Sequence, residues 1–174
     1  MPGTALTILR GTLVTLRPFA PADHDAVMTL LSHPDIVPWW GHYDDDRYRR
    51  DFLGEHIYVY VIEHADSFAG VIMFEEEDEP DYRHAAIDIT VAGDLLEQGL
   101  GTDALRTLIA YLIDVRCHHR ITIDPAVDNA RAIHVYEKVG FRPVGVMRQA
   151  ERGPEGWHDN LLMDLLAQEF HDPR

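Results

Sequence analysis

The stretch Ile87-Asp88-Ile89-Thr90-Val91-Ala92-Gly93-Asp94-Leu95-Leu96-Glu97-Gln98-Gly99-Leu100-Gly101-Thr102 decides how this chain is read. It starts as the end of an apolar strand, Ala85 to Val91, and finishes at the opening of an amphipathic helix, Asp103 to Val115. That helix carries Leu105, Leu108, Ile109, Leu112 and Ile113 on one face, the spacing of a buried stripe. The turn between them has glycine at alternate positions, Gly99 and Gly101. Glycines there keep Cβ atoms away, so a ligand can approach the backbone. The first amides of a helix have no partner within it, and with the helix dipole they form a site for an anion such as a pyrophosphate. Taken alone, a Gly-x-Gly before a helix is also the pattern of an ordinary tight turn.

Two other nucleotide-binding patterns fail on local detail. A Walker loop needs Lys followed by Ser or Thr after its last glycine, and here Thr102-Asp103 follows. A Rossmann fingerprint needs a third glycine and an early parallel βαβ unit. This turn instead follows three strand-like segments that read as antiparallel: Ile57 to Glu63, Ala69 to Phe74 and Ala85 to Val91, the first two forming a hairpin with a turn at Ala65-Asp66-Ser67.

Upstream, Thr12 to Phe19 alternates as a strand. Pro21-Ala22-Asp23 opens a helix to about Ser32, and Asp44 to Gly54 reads as a second, with Asp44, Asp45 and Asp46 at its positive end. Downstream, Arg120 to Ile123 is a strand, Asn129 to Val139 a helix stopped by Gly140, and Phe141 to Arg148 and Leu161 to Leu165 are strands. The order β-α-α-β-β-β-α-β-α-β-β predicts an α/β (α+β mixed) fold, a mixed sheet of about six to seven strands flanked by about four helices. With 174 residues and neither repeats nor low-complexity linkers, one domain over residues 1–174 is expected.

Two motifs in fixed order carry a resemblance to the GNAT acetyltransferases. That family's pyrophosphate loop has the form Arg/Gln-x-x-Gly-x-Gly/Ala, which Leu96 to Gly101 matches at both glycines and departs from at Leu96. Asn129-Ala130-Arg131-Ala132-Ile133-His134-Val135-Tyr136-Glu137-Lys138-Val139-Gly140-Phe141 follows the form Asn-x-x-Ala-x-x-x-Tyr-x-Lys-x-Gly-Phe. Within the superfamily the sequence most resembles aminoglycoside 6′-N-acetyltransferases. Asp35-Ile36-Val37-Pro38-Trp39-Trp40-Gly41, Ile87-Asp88, and Thr122-Ile123-Asp124-Pro125 with Asn129 look like segments of that group, whose loop shares the leucine departure.

The resemblance implies a GNAT fold and acetyl-CoA as co-substrate. It implies cofactor contacts from Ile89 and Val91, from Gln98, Gly99, Leu100, Gly101 and Thr102, and from Asn129, Ala132 and Lys138. The backbone near Ile89 to Val91 would polarise the thioester carbonyl. It also favours Asp88 as the base and Tyr136 as the acid that protonates the departing thiolate. From the residues alone both positions are open. Asp88 interrupts an apolar strand and could be a base or a solvated outward residue. Tyr136 holds its proton at neutral pH, its ordinary pKa being about 10, but helical tyrosines are also core residues.

Transfer to an amine needs an acceptor site, and the charge balance favours a cationic guest. The chain has 30 acidic and 15 basic side chains, a net charge of −15. This opposes nucleic-acid binding and draws cations to a cleft, though acidity can also serve solubility alone. Trp39 and Trp40 are candidates for a wall that stacks a sugar or an ammonium, or for a plug over the core. Asp124, at a strand end, and more weakly Glu155 and Asp159, before the last strand, are candidate substrate contacts. Asp128 is expected to cap the helix at Asn129. The acidic run Glu75 to Asp81 reads as a solvated loop that could steer a polyamine if it borders the cleft.

One cysteine, Cys117, allows no internal disulfide, and eleven histidines form no ligand pattern, so no metal is expected. Met1 to Arg10 lacks the apolar core of a signal peptide and no stretch has the length of a membrane span, which gives a cytoplasmic protein, monomer or homodimer, as the default. The leading expectation is an aminoglycoside 6′-N-acetyltransferase. The alternatives are a GNAT enzyme for a protein N-terminus of the ribosomal-protein type or for another small polyamine, and a non-catalytic acyl-CoA sensor. Leu16-Arg17-Pro18 resembles the protein-acetylating branch; retention of both Asp88 and Tyr136 argues against the sensor.

Overall fold

The computed structural model describes residues 6–153 and 155–173; of the N-terminal stretch read above, Met1 to Ala5 lie outside them. The described residues form eight strands in one sheet: β1 (Leu9–Arg10), β2 (Thr15–Pro18), β3 (Ile57–His64), β4 (Ser67–Glu77), β5 (His84–Val91), β6 (Arg120–Ile123), β7 (Arg142–Gly153) and β8 (Gly156–Leu166). They also form five α-helices: α1 (His24–Leu31), α2 (Val37–Trp40), α3 (Asp45–Phe52), α4 (Leu100–Asp114) and α5 (Ala130–Val139). The mixed sheet and flanking helices are as expected; the counts are one higher for each. The added strand is the short β1, paired with β2. The added helix is a single turn that takes Trp39 and Trp40 out of the loop expected for them.

Strand order is β1-β2-β3-β4-β5-β6-β8-β7, antiparallel throughout except between β5 and β6. Alternation along β3 and β4 sorts the core onto two faces, as a period of two requires. Tyr60, Ile62, Ile72 and Phe74 join the α4 side chains Leu100, Ala104, Leu105, Leu108, Ile109 and Leu112. Val59, Val71 and Met73 pack with Val27, Leu30 and Leu31 of α1 and with Tyr48 and Phe52 of α3. The β3–β4 hairpin turns at Ala65 and Asp66, both at positive φ, which matches the twist of the strands it joins.

The parallel pair is short. Ala85 lies opposite Ile121 and Ala86 opposite Thr122. Beyond that β5 runs on to Val91, while β6 stops at Ile123. Among the described residues no strand covers the β6-facing edge of β5 from Ile87 to Val91, so the sheet opens there into a V.

Three local expectations change. The cap of α5 is Asn129, not Asp128: its Oδ1 accepts from the Ala132 amide at 3.2 Å. The acidic run is only partly a loop, because Glu75 to Glu77 finish β4. Within it Glu76 is 6% exposed and accepts from Arg116 Nε at 2.9 Å and from His118 Nε2 at 2.7 Å, with a second contact from Arg116 Nη2. It is a buried ion-pair centre rather than a solvated charge. The two last strands reach much further than their apolar cores predicted and form one long hairpin.

Candidate active site

The V opens into a cleft of about 630 Å³, lined from β4, β5, the turn before α4, the loop after β6, α5, β7 and the α2–α3 region. This volume lies within the usual range for a small-molecule site.

One wall is the start of α4. Gly99 sits at φ +81°, a left-handed conformation that costs a residue with a Cβ about 1 kcal/mol or more. This lets the chain reverse tightly from Glu97 into the helix. The Asp103 amide returns to the Gly99 carbonyl at 3.0 Å. Among the described residues the amides of Leu100, Gly101 and Thr102 meet no backbone or side-chain acceptor, as expected in a first helical turn. A Cβ added at Gly101 would meet only Val91 Cγ2, at 3.8 Å. Nothing in the protein's own packing demands glycine there; a side chain would project into space that Gly101 leaves to the cleft. The turn is held from behind by Asp103, 6% exposed, whose carboxylate accepts from the amides of Thr12 (3.1 Å), Leu13 (2.7 Å) and Val14 (3.0 Å).

The opposite wall is α5. Asn129, Arg131, Ala132, His134, Val135, Tyr136 and Lys138 line the cleft from it. The Asn129 cap occupies its Oδ1, which leaves the Nδ2 donors for a ligand. The floor between the walls is the uncovered edge of β5, with Asp88, Ile89, Thr90 and Val91. Free amides at a helix start, cationic side chains across from them and an open strand edge suit a long ligand with a diphosphate and an amide-bearing arm.

The other end of the cleft is acidic and aromatic. Asp88 faces Trp39, Trp40 and Tyr43, and shares the space with Asp51 of α3, Glu75 of β4, Asp124 after β6 and Glu151 of β7. Asp88 is exposed to the cleft, yet the surrounding protein still strips much of its hydration. That loss, followed by the charges of Asp124, Glu151, Glu75 and Asp51, pushes its carboxyl up to about 7. Burial also raises Asp124, opposed by its hydrogen bond from Asn160 and aided by Glu151. Tyr136 is 8% exposed and packs edge-on to Phe141 at 6.2 Å. Burial, then the charges of Asp88 and Asp124, raise its phenol far above the ordinary value, so it stays protonated at any physiological pH. Arg47 is a cation within this acidic end. It lies over the Tyr43 ring at 4.4 Å and pairs with Asp51 at 3.2 Å, and the same Asp51 oxygen accepts from the Tyr43 hydroxyl at 3.1 Å. Trp40 leans on the Tyr43 ring at 6.5 Å and on the α1–α3 core, while Trp39 is half-buried in the cleft wall.

Most of the expected site residues therefore meet in one cleft: Asp88, Tyr136, Ile89, Val91, Gly99 to Thr102, Asn129, Ala132, Lys138, Trp39, Trp40 and Asp124. Gln98, Glu155 and Asp159 do not line it. Gln98 turns its side chain back to the Asp94 carbonyl at 3.3 Å, Glu155 is exposed in the β7–β8 turn, and Asp159 accepts from the Gln149 amide at 2.7 Å within the hairpin. Glu151, Asp51, Arg47 and Tyr43 are cleft residues that sequence reading did not reach. Only the Arg47–Asp51 spacing of four on a helix was a local sign.

The sheet is thus split between two parallel strands, with a glycine-opened helix on one side and a buried tyrosine on the other, a shape that suits an elongated carrier molecule. The chain belongs to the GNAT acetyltransferase family, whose model, described as "Acetyltransferase (GNAT) family", matches residues 25–141. It is an acetyl-CoA-dependent N-acetyltransferase. The chain is 31% identical over 155 residues to an aminoglycoside N(6′)-acetyltransferase type 1 of Klebsiella pneumoniae, a match covering 77% of this chain and 76% of that one. Among solved structures it is similar to Mycobacterium smegmatis RimJ in complex with CoA-disulfide (TM-score 0.81, 23% identity, 95% and 88% covered). It is also similar to the spermidine N-acetyltransferase of Vibrio cholerae in complex with CoA and spermine (TM-score 0.79, 20% identity, 91% and 98% covered). Among the described residues no helix is long and apolar enough to cross a membrane.

Proposed function

We propose that the acceptor is an aminoglycoside, acetylated on its 6′-amine. The observation that carries this reading is the gathering of five carboxylates, Asp51, Glu75, Asp88, Asp124 and Glu151, from five separate segments around one aromatic-walled cleft. Such a cleft suits a compact polycation whose rings stack while its ammonium groups find separate acids. The identity to an aminoglycoside N(6′)-acetyltransferase over three quarters of the chain supports the same class.

In this reading Asp88 is the base. An ammonium drawn against it gives up a proton directly or through one water, and a carboxyl near 7 is matched to that task at neutral pH. Acetyl-CoA supplies the thioester. The amides of Leu100, Gly101 and Thr102 hold its diphosphate, Asn129 and the open edge of β5 orient its arm, and a β5 amide near Ile89 to Val91 faces the carbonyl. Tyr136, which keeps its proton, delivers it to the leaving sulfur. The acidic end binds the remaining ammonium groups through Asp124 and Glu151, with Trp39 and Trp40 against the sugar.

The same acids would suit a linear polyamine, and the spermine-bound neighbour has the same fold. The test is thiol release from acetyl-CoA with kanamycin, tobramycin and spermidine. Stimulation by an aminoglycoside, with acetylation at the 6′-nitrogen by mass spectrometry, is the expected result. Stimulation by spermidine with none by any aminoglycoside would overturn the reading.

A further inference from the structure

Asp124 and Glu151 come from different parts of the chain, the loop after β6 and the strand β7, yet one neutral side chain holds both. Asn160, on β8 and 3% exposed, donates from Nδ2 to Asp124 Oδ2 at 3.0 Å and to Glu151 Oε2 at 3.3 Å. The two carboxylate oxygens are therefore no farther apart than the sum of these contacts. The amide orientation follows from chemistry: ionised carboxylates only accept, so the NH2 group must face them. Its Oδ1 then needs a donor, and His158 Nδ1 stands 3.1 Å from it, which assigns that nitrogen's proton. A bridge from Ala126 to Asn160 and hydrogen bonds between Val127 and Asp159 and between Leu161 and Pro125 tie the same segment of β8 to the loop that carries Asp124.

This arrangement has a cost that packing does not explain. Asn160 uses both its donors to keep two like charges together without neutralising either, and both residues line the cleft. Each contact uses one carboxylate oxygen, and among the described residues no hydrogen bond reaches the second oxygen of either acid, which can serve a guest. We propose that Asn160 is a positioning residue: it builds Asp124 and Glu151 into one two-carboxylate seat for a second ammonium group of the acceptor, set apart from the amine that reacts at Asp88. The seat selects acceptors with at least two amines. It also couples binding to chemistry, because Asp124 and Glu151 are the two strongest charges acting on Asp88, and a cation seated between them favours the ionised form of the base. The inference rests on the reading of the acceptor as a polycation, whether aminoglycoside or linear polyamine.

The experiment compares Asn160→Leu, of similar volume without donors, and Asn160→Ser, which keeps one donor, on a polyamine acceptor and on an acceptor with a single primary amine. For tobramycin, Asn160→Leu is expected to raise KM about tenfold or more, the weight of a lost charge-assisted contact. Asn160→Ser should fall between it and the wild type. The KM for acetyl-CoA and the KM for 6-amino-6-deoxyglucose should stay within about twofold, a split that a merely structural defect would not give. The acidic limb of the kcat/KM profile for tobramycin should shift, since it reports Asp88 with its neighbours displaced. If Asn160→Leu does not fold, Asp124→Asn with Glu151→Gln removes the seat, and adding Asn160→Ser to that pair should cost nothing further on tobramycin. Equal losses on one-amine and many-amine acceptors, or an undiminished Asn160→Ser effect in the double-substituted background, would overturn the proposal. Should the wild type use spermidine but no aminoglycoside, the functional reading fails by itself, and the same comparison runs with spermidine against a simple alkylamine.

Discussion

Asp88 of β5 and Tyr136 of α5 face the same cleft, and the carboxylate's charge adds to burial in holding the phenol's proton. In the proposed reaction Asp88 is poised near neutrality to take a proton, and Tyr136 keeps its own until the thiolate leaves beside it. Environments that push two titratable groups apart in this way separate the acid from the base of a reaction.

If Asp88 is the base, its ionisation sets the acidic limb of activity. The limb should have its midpoint near pH 7, with activity falling below it as Asp88 takes up a proton. Asp88→Asn should lower kcat roughly 100-fold or more and abolish that limb, with little change in acetyl-CoA affinity. A pH–rate profile of both proteins checks this; an unchanged limb in the variant would remove the assignment.

The same shift bears on stability. Asp88 is raised above its unfolded value of about 3.9, so the folded state holds the extra proton between roughly pH 4 and pH 7. Its contribution is greatest below that window and is lost as pH rises through it. Asp88→Asn should therefore raise the melting temperature at pH 8 more than at pH 4, read by thermal unfolding. A site tuned for chemistry is less stable than it could be.

Tyr136→Phe removes a proton and little else, because the ring stays against Phe141. It should cut kcat about 100-fold while leaving the KM for acetyl-CoA and the melting temperature near the wild type. Steady-state kinetics with both substrates decides it. A loss confined to KM would make the tyrosine a wall rather than an acid.

The two glycines of the turn should fail differently. Gly101→Val projects into the cleft and meets only Val91 inside the protein, so it should weaken acetyl-CoA binding at least about tenfold with little loss of stability. Gly99→Ala strains a left-handed residue and should lose about 1 kcal/mol of stability as well. Calorimetric binding and thermal melts on the same preparations separate the two.

Asp103 is neither at the cleft nor catalytic, yet it sets where the turn stands. Asp103→Ala leaves the amides of Thr12, Leu13 and Val14 without their acceptor and should cost about 3 kcal/mol, measured by urea unfolding. The acetyl-CoA affinity should fall with it, because the start of α4 loses its anchor to the β1–β2 loop.

Much of the site was legible because it is local. Gly99 and Gly101 announce a tightly turned helix start, Gly140 marks the end of α5, and Asp88 stands out as a charge in an apolar strand. Each follows from residues within one or two turns of each other, where backbone sterics and alternation act. The misjudged acids show the other side. In a chain with 30 acidic side chains, sequence gives no means of telling Glu76, buried under Arg116 and His118, from Glu75, one residue earlier and facing the cleft.

By its own pattern the sequence determined the order of the longer strands and helices, the glycine turn and the two residues proposed to exchange protons. Only the tertiary structure decided that β5 and β6 part after two residue pairs, and that Asp51, Glu75, Asp124 and Glu151 close around Asp88. It also decided that Asn160 stands between two of these acids. The physical reason is that Coulomb forces and hydration loss depend on distance in space, and these acids lie on segments far apart in the chain, brought together only when the sheet is assembled.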